Sequence, residues 1–265
     1  MEAAVLQVTT KCPFHCKQCY MEQGNRDMEL EEAKYAVDVA CCSGAKIVQL
    51  TGGEPMCYPS LIELVAYCKS NGLHSVIATS GFSHSQLLYA RLKNAGLTAL
   101  CVSLNSIDEG INQTSREGFS YAVEAVKDAV SVGLSCILNI VLTKENLQSL
   151  RKTVIAAQNM GVSQVCLLKR FPSIKGEMSE LLIEQELDEL HNLALEYADF
   201  VCVEKCYKEY WARFYNESKI CMDCGRTGVF WNVDGKVSPC SQKTKFKYLT
   251  IDEMSLAEKI WKREC

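Results

Sequence analysis

Three cysteines stand close together near the start of the chain, in Cys12-Pro-Phe-His-Cys16-Lys-Gln-Cys19. Three thiolates on one short loop can bind three corners of a cubic iron–sulfur cluster and leave its remaining iron open to a substrate or cofactor. The same donors can hold zinc, for which His15 is available as a fourth ligand. On this loop alone both chemistries stand. A second group, Cys221-Met-Asp-Cys224 and then Cys240, brackets Asp234-Gly235. That dipeptide favours a tight hairpin turn, and a hairpin brings its two ends together.

The chain carries 16 cysteines in 265 residues. No stretch reaches the eighteen or so apolar residues of a membrane span, and Met1-Glu2-Ala3-Ala4 lacks the basic start of a signal peptide. The expected compartment is therefore the cytoplasm. There, this much cysteine points to metal ligation or redox chemistry, with a disulfide framework as the minor alternative. Cys68, Cys101, Cys136 and Cys166 lie inside apolar runs, where a thiol behaves as a small buried hydrophobe, and they receive no function. A net charge of −4 gives no global attraction for nucleic acid or an anionic membrane.

The loop needs a frame to hold it. Up to about residue 195, short β-rich apolar runs alternate with segments of helical period, the pattern of repeated βα units and a parallel sheet. The strands read as Ala4–Thr9, Lys46–Thr51, Ser75–Thr79, Ala99–Leu104, Ile137–Leu142 and Gln164–Lys169. Helices fall near 29–42, 60–71, 84–95, 118–132, 146–160 and 180–198. Gly72, Gly96, Gly133 and Gly161 each stand between a helix and the next strand, where a left-handed cap favours glycine. The expected fold class is α/β, a partial (β/α)6 TIM-like barrel spanning 1–199. A small C-terminal extension, 200–265, follows where the βα rhythm stops. It contains a hairpin of Val229–Val233 and Lys236–Cys240 and a closing helix at 255–264. The cysteine loop follows the first strand directly, at the sheet edge where barrel enzymes keep their chemistry.

Thr51-Gly52-Gly53-Glu54-Pro55 ends the second strand. Glycines there let backbone carbonyls approach a ligand ammonium, and Glu54 could fix that edge of the sheet. With a CxxxCxxC loop after the first strand and GGE after the second, the sequence resembles the radical S-adenosylmethionine superfamily. The resemblance implies a 4Fe-4S cluster on Cys12, Cys16 and Cys19. It further implies S-adenosylmethionine chelated at the open iron, with its amino group held by the backbone of Gly52, Gly53 and Glu54. Thr79-Ser80-Gly81 is similar to the family's turn after the third strand. Ser103 and Asn105 stand where relatives place polar groups near the ribose and methionine carboxylate. Many relatives have Asp at the position of Asn105, and polar strand ends facing water are the alternative reading. Asn139 and Val141 fall near adenine, and Arg170 on the same rim. Gln18 departs from the aromatic residue or His that relatives carry before the third cysteine, with Tyr20 and His15 as nearby substitutes.

Cys224, Gly235 and Cys240 resemble the opening of the SPASM and twitch extensions. The second SPASM cysteine block does not follow, so one auxiliary 4Fe-4S cluster is expected. Its ligands would be Cys221, Cys224, Cys240 and Cys265, with Cys202 and Cys206 in reserve and a frayed free thiol as the alternative for Cys265. The three lysines of Lys243–Lys247 read as a solvated edge or a contact for an acidic peptide. Tyr207, Tyr210, Trp211, Phe214 and Tyr215 read as core packing or a peptide groove. The leading functional expectation is oxidative modification of a ribosomally synthesised peptide, forming a thioether or carbon–carbon cross-link. Its implied partners are the precursor peptide, a separate leader-binding protein and a reducing protein such as flavodoxin or ferredoxin. The alternatives are a small-molecule dehydrogenase or cyclase, and a non-catalytic iron–sulfur electron carrier. The GGE motif argues against the carrier.

Overall fold

Strand and helix alternate because the sequence alternates between two burial periods, two residues in the strands and three to four in the helices. The computed structural model describes residues 2–173, 182–215 and 228–238. Six parallel strands, β1 (Ala3–Thr9), β2 (Ile47–Gly52), β3 (His74–Thr79), β4 (Leu97–Ser103), β5 (Ser135–Val141) and β6 (Gln164–Leu168), lie side by side in chain order. Each begins and ends within two residues of its expected bounds. The crossover helices include α1 (Leu30–Cys42), α2 (Leu61–Ser70), α3 (Gln86–Ala95), α5 (Phe119–Ser131), α7 (Leu150–Asn159) and α8 (Glu184–Glu196). Two single-turn helices, α4 (Glu109–Gln113) and α6 (Lys144–Leu147), precede α5 and α7.

Alanine sets how closely the helices approach the sheet. α1 buries Ala33, Ala36, Val37 and Ala40, and α5 buries Ala122, Ala125, Val126 and Ala129, each a stripe of helical spacing. Against them pack Leu6, Leu50, Ile77, Val102, Leu138 and Leu167 from the helix-facing side of the strands. The opposite side of β5 and β6 carries Ile137, Asn139, Val141, Gln164, Cys166 and Leu168, all part-buried. Gly96 takes φ +112 at the end of α3, and Gly72, Gly133 and Gly161 are likewise left-handed, as their placement predicts.

The sheet continues past residue 199 at both edges. β7 (Val201–Val203) adds to β6 in parallel, and α9 (Lys208–Tyr215) packs on α8. At the far edge, β8 (Gly228–Trp231) pairs in parallel with β1 and antiparallel with β9 (Val237–Ser238). The nine strands run β7-β6-β5-β4-β3-β2-β1-β8-β9. The expected hairpin is present: Gly235 has φ +71, and Asn232 Oδ1 accepts from Asp234 N at 3.1 Å and Lys236 N at 2.8 Å. The helix expected at 255–264 and Cys221, Cys224, Cys240 and Cys265 lie outside the described residues. So does the lysine segment Lys243–Lys247.

The aromatic residues of α9 pack inward except Tyr215, which is exposed. Tyr210 is buried and hydrogen-bonded through its hydroxyl to His191 Nδ1 at 3.0 Å, and His191 stacks on Phe214 at 3.8 Å between ring centroids. This is the core-packing reading of that run.

Candidate active site

The cysteine loop is closed at its base by its own return. Thr10 N donates to Arg26 O at 2.8 Å, Gly24 N to Thr10 O at 3.0 Å, and Thr9 Oγ1 to Asp27 Oδ1 at 2.7 Å. Lys11 pairs with Asp27 at 2.6 Å. At its crown Phe14, between the first two cysteines, is the apolar anchor. Its ring meets Phe82 at 6.1 Å and Tyr121 at 5.6 Å, edge-on in both contacts. Gly118, left-handed at φ +77, lies under that ring, where a Cβ would approach Phe14 Cζ to 2.8 Å.

The three thiols are free and part-buried. Cys16 Sγ accepts from Glu117 N at 3.4 Å, Cys19 N donates to Cys16 O at 3.1 Å, and Cys19 Sγ donates to Met21 O at 3.7 Å. Burial pushes the Cys12 thiol up to about 12, helped by the negative charges of Glu54, Cys16 and Cys19. Burial also raises Cys19, and Arg116 nearby opposes it. These mutual effects place the three sulfurs and Glu54 in one electrostatic neighbourhood, so occupying the loop with a cation or cluster must displace protons. Among the described residues no three side chains of His, Cys, Asp or Glu converge as on a single metal ion, and His15 is exposed. Three soft sulfur donors spread along one loop are a donor set that fits iron–sulfur corners.

The glycines at the end of β2 are held close against the backbone that enters the cysteine loop. A Cβ on Gly52 would lie 2.5 Å from Thr9 O, and one on Gly53 2.3 Å from Lys11 O. Gly53 N donates to Thr9 O at 2.8 Å and Glu54 N to Lys11 O at 2.7 Å. The pair is thus required so that the end of β2 can press on the backbone that enters the cysteine loop. Glu54 is 1% exposed and accepts from Thr79 Oγ1 at 2.7 Å, Ser80 N at 2.7 Å, Met56 N at 3.1 Å and Ser80 Oγ. Desolvation raises its carboxyl above the usual range against those four donors. Glu54 fixes this edge of the sheet by tying β2 to the Thr79-Ser80-Gly81 turn, and Ser80 turns both its donors to it.

Asn105, just past β4, is a second knot. It is 1% exposed; its Nδ2 donates to Gln18 Oε1 and Ser115 Oγ, both at 2.8 Å, and its Oδ1 accepts from Val141 N at 3.0 Å. Gln18 is buried, and with its amide turned over its oxygen accepts from Arg116 Nη2 at 3.1 Å and Nε at 3.3 Å as well as from Asn105 Nδ2 at 3.2 Å. Gln18 and Asn105 therefore lock the cysteine loop to the ends of β4 and β5. Sequence reasoning missed Asn112, Ser115 and Asn146, which complete this knot. Asn112 Oδ1 accepts from Asn105 N at 2.9 Å, and Asn146 Nδ2 donates to Asn105 O at 3.1 Å. The signal for Asn146 was present as a capping box with Thr143. Ser103 and Asn139 are register partners on the side of the sheet away from the helices. Tyr20, next to Cys19, is exposed, and Arg170 is part-buried beyond β6.

The family profile described as Radical SAM superfamily matches residues 6–157, more than half of the chain. Among curated relatives, a protein named "Probable GTP 3',8-cyclase" from Saccharolobus islandicus is 29% identical over 262 residues, covering 91% of this chain and 82% of its own. One of the same name from Sulfurisphaera tokodaii is 28% identical, covering 96% and 86%. Among solved structures, Streptococcus suis SuiB bound to precursor peptide SuiA superposes with a TM-score of 0.79 at 15% identity, over 98% of this chain. The chain spans 64% of that SuiB chain, just under two thirds. Native anSMEcpe with bound AdoMet gives 0.72 at 14% identity, over 96% of this chain and 80% of its own. At these identities the structural likeness speaks for the fold, a partial barrel with a mostly parallel sheet.

Proposed function

Because the chain belongs to the Radical SAM superfamily, we propose that Cys12, Cys16 and Cys19 hold the 4Fe-4S cluster that cleaves S-adenosylmethionine, and that the substrate is a ribosomally made peptide. When bound, this cofactor pair supplies an organic radical that abstracts hydrogen from substrate. The chain's own part is orientation. Gly52 and Gly53 seat the loop, Glu54 and Ser80 fix the neighbouring strand ends, and Asn105 with Gln18 holds the third cysteine's flank. In this reading Ser103, Asn139, Tyr20 and Arg170 line the cofactor and substrate space.

The peptide substrate rests on one observation. Strands β1–β7 carry no Lys, Arg, Asp or Glu at all. At the rim, Lys11 is paired with Asp27 and Lys169 with Glu209 at 2.8 Å. A nucleoside triphosphate brings several negative charges that need cations; the strands offer none, and Arg170 stands beside them at the rim, an arrangement that suits a mostly neutral peptide segment. The second reading is a small-molecule cyclase, favoured by the 28–29% identical cyclases. In the first reading residues 200–265 form a twitch-like extension with one auxiliary 4Fe-4S cluster on Cys221, Cys224, Cys240 and Cys265. A flavodoxin or ferredoxin delivers the electron, and a separate protein presents the leader, in the cytoplasm.

Co-expression with any short peptide encoded beside the gene, read by mass spectrometry, separates the two. Loss of two hydrogens per cross-link supports the peptide reading. An unmodified peptide, with GTP consumed to a cyclised product by the anaerobic enzyme, supports the cyclase.

A further inference from the structure

Three thiols that the cysteine loop does not use face the same side of the sheet. In register, Ser103 on β4 pairs with Asn139 on β5, Asn139 with Cys166 on β6, and Cys166 with Cys202 on β7. Parallel neighbours stand about 4.8 Å apart, so this is one continuous row across four strands. Cys136, Leu138, Ile140, Val165 and Leu167 face the helices and are fully buried, while Asn139, Cys166 and Cys202 on the other side are only part-buried. The row thus ends in two sulfurs on the open side of the sheet, beside positions proposed above to line the cofactor space. Cys101 lies one register step lower on β4, within electrostatic reach of both.

Register sets the two side chains next to each other, and the neighbouring Cys202 thiol and burial both push the Cys166 thiol up, so Cys166 carries its proton. A thiol S–H is weaker than an alkyl C–H bond, and a carbon radical takes its hydrogen readily. No O–H of serine or N–H of the backbone competes.

We propose that Cys166, with Cys202 against it, is a hydrogen-atom donor to carbon radicals formed over this side of the sheet. The inference rests on the radical chemistry proposed above and adds a residue to it. The step balances as follows: the S–H bond of Cys166 breaks, a C–H bond forms on the radical carbon, and a thiyl is left on Cys166. One electron from a low-potential one-electron reductant and one proton from water then restore the thiol. This outcome is redox-neutral at carbon, so it competes with the two-hydrogen loss of a cross-link: a substrate radical that Cys166 reaches returns to C–H, and one held away from it goes on to the cross-link.

The test uses the anaerobically reconstituted full chain with S-adenosylmethionine and dithionite in D2O, without substrate. In D2O the part-buried thiol exchanges to S–D, whereas carbon-bound hydrogens do not. The readout is the fraction of 5′-deoxyadenosine carrying one deuterium at its 5′ carbon, independent of how much is made. The wild type should give a substantial monodeuterated fraction, falling severalfold in Cys166→Ser, which keeps a side chain of similar shape but removes the weak bond. Cys101→Ser should leave the fraction where it was. Unlabelled 5′-deoxyadenosine from the wild type, or a label that survives Cys166→Ser, overturns the proposal. If no 5′-deoxyadenosine forms at all, the failure belongs to the cofactor-cleavage reading instead.

Discussion

The side chain of Asn105 donates both amide hydrogens and accepts from Val141 N, so it braces three neighbouring segments. Asn105→Ala leaves several of these buried partners unpaired, and urea unfolding should show a loss of about 1–3 kcal/mol. Asn105→Asp should cost less, since the Gln18 amide and the Ser115 hydroxyl can each reverse to donate to a carboxylate. At Gly53 the constraint is steric: Gly53→Ala drives a methyl group into Lys11 O, and overpacking of this kind costs about 1–3 kcal/mol. Iron analysis after reconstitution should show lower cluster occupancy in that variant, because the displaced backbone leads straight into Cys12. The motif itself was legible in the sequence, but its reason was not. A backbone contact between β2 and the start of the loop joins residues some forty positions apart and leaves no local pattern.

At the scale of elements, the strands and long crossover helices were legible because burial period and capping glycines agree along the chain. The short ones were not. α4, α6 and β7 are each too brief to show a period, and only the Thr143–Asn146 cap marks α6 locally. How α8 holds α9 is likewise tertiary: Arg213 Nε and Nη2 reach Asp188 Oδ1 and Oδ2, both at 2.9 Å, and His191 stacks on Phe214. The Arg213 guanidinium holds the Asp188 carboxyl below the usual carboxylate range. A lowered value means this contact stabilises the fold above the ordinary carboxylate range and loses its effect as pH falls through the lowered value. In Arg213→Leu the Asp188 carboxyl should titrate in the ordinary range by NMR. An unchanged titration would mean that another group holds it down.

At the scale of the whole molecule, the nine strands among the described residues and their helices bring the ends of β1 to β5 to one edge, where the cysteine loop is held by the end of β2, the Thr79-Ser80-Gly81 turn and the Asn105 knot. Cluster chemistry could be read from Cys12, Cys16 and Cys19 together with the Gly52-Gly53-Glu54 edge because both parts are local in sequence. The thiol row of Cys166 and Cys202 could not, since it exists only through register across strands. Anaerobic incubation of the reconstituted chain with S-adenosylmethionine and dithionite is the most direct test of the central claim. Methionine and 5′-deoxyadenosine should form together in the wild type and be lost in Cys12→Ala, Cys16→Ala and Cys19→Ala. An iron-loaded wild type that leaves S-adenosylmethionine intact, or a cleavage that persists in all three variants, would contradict it.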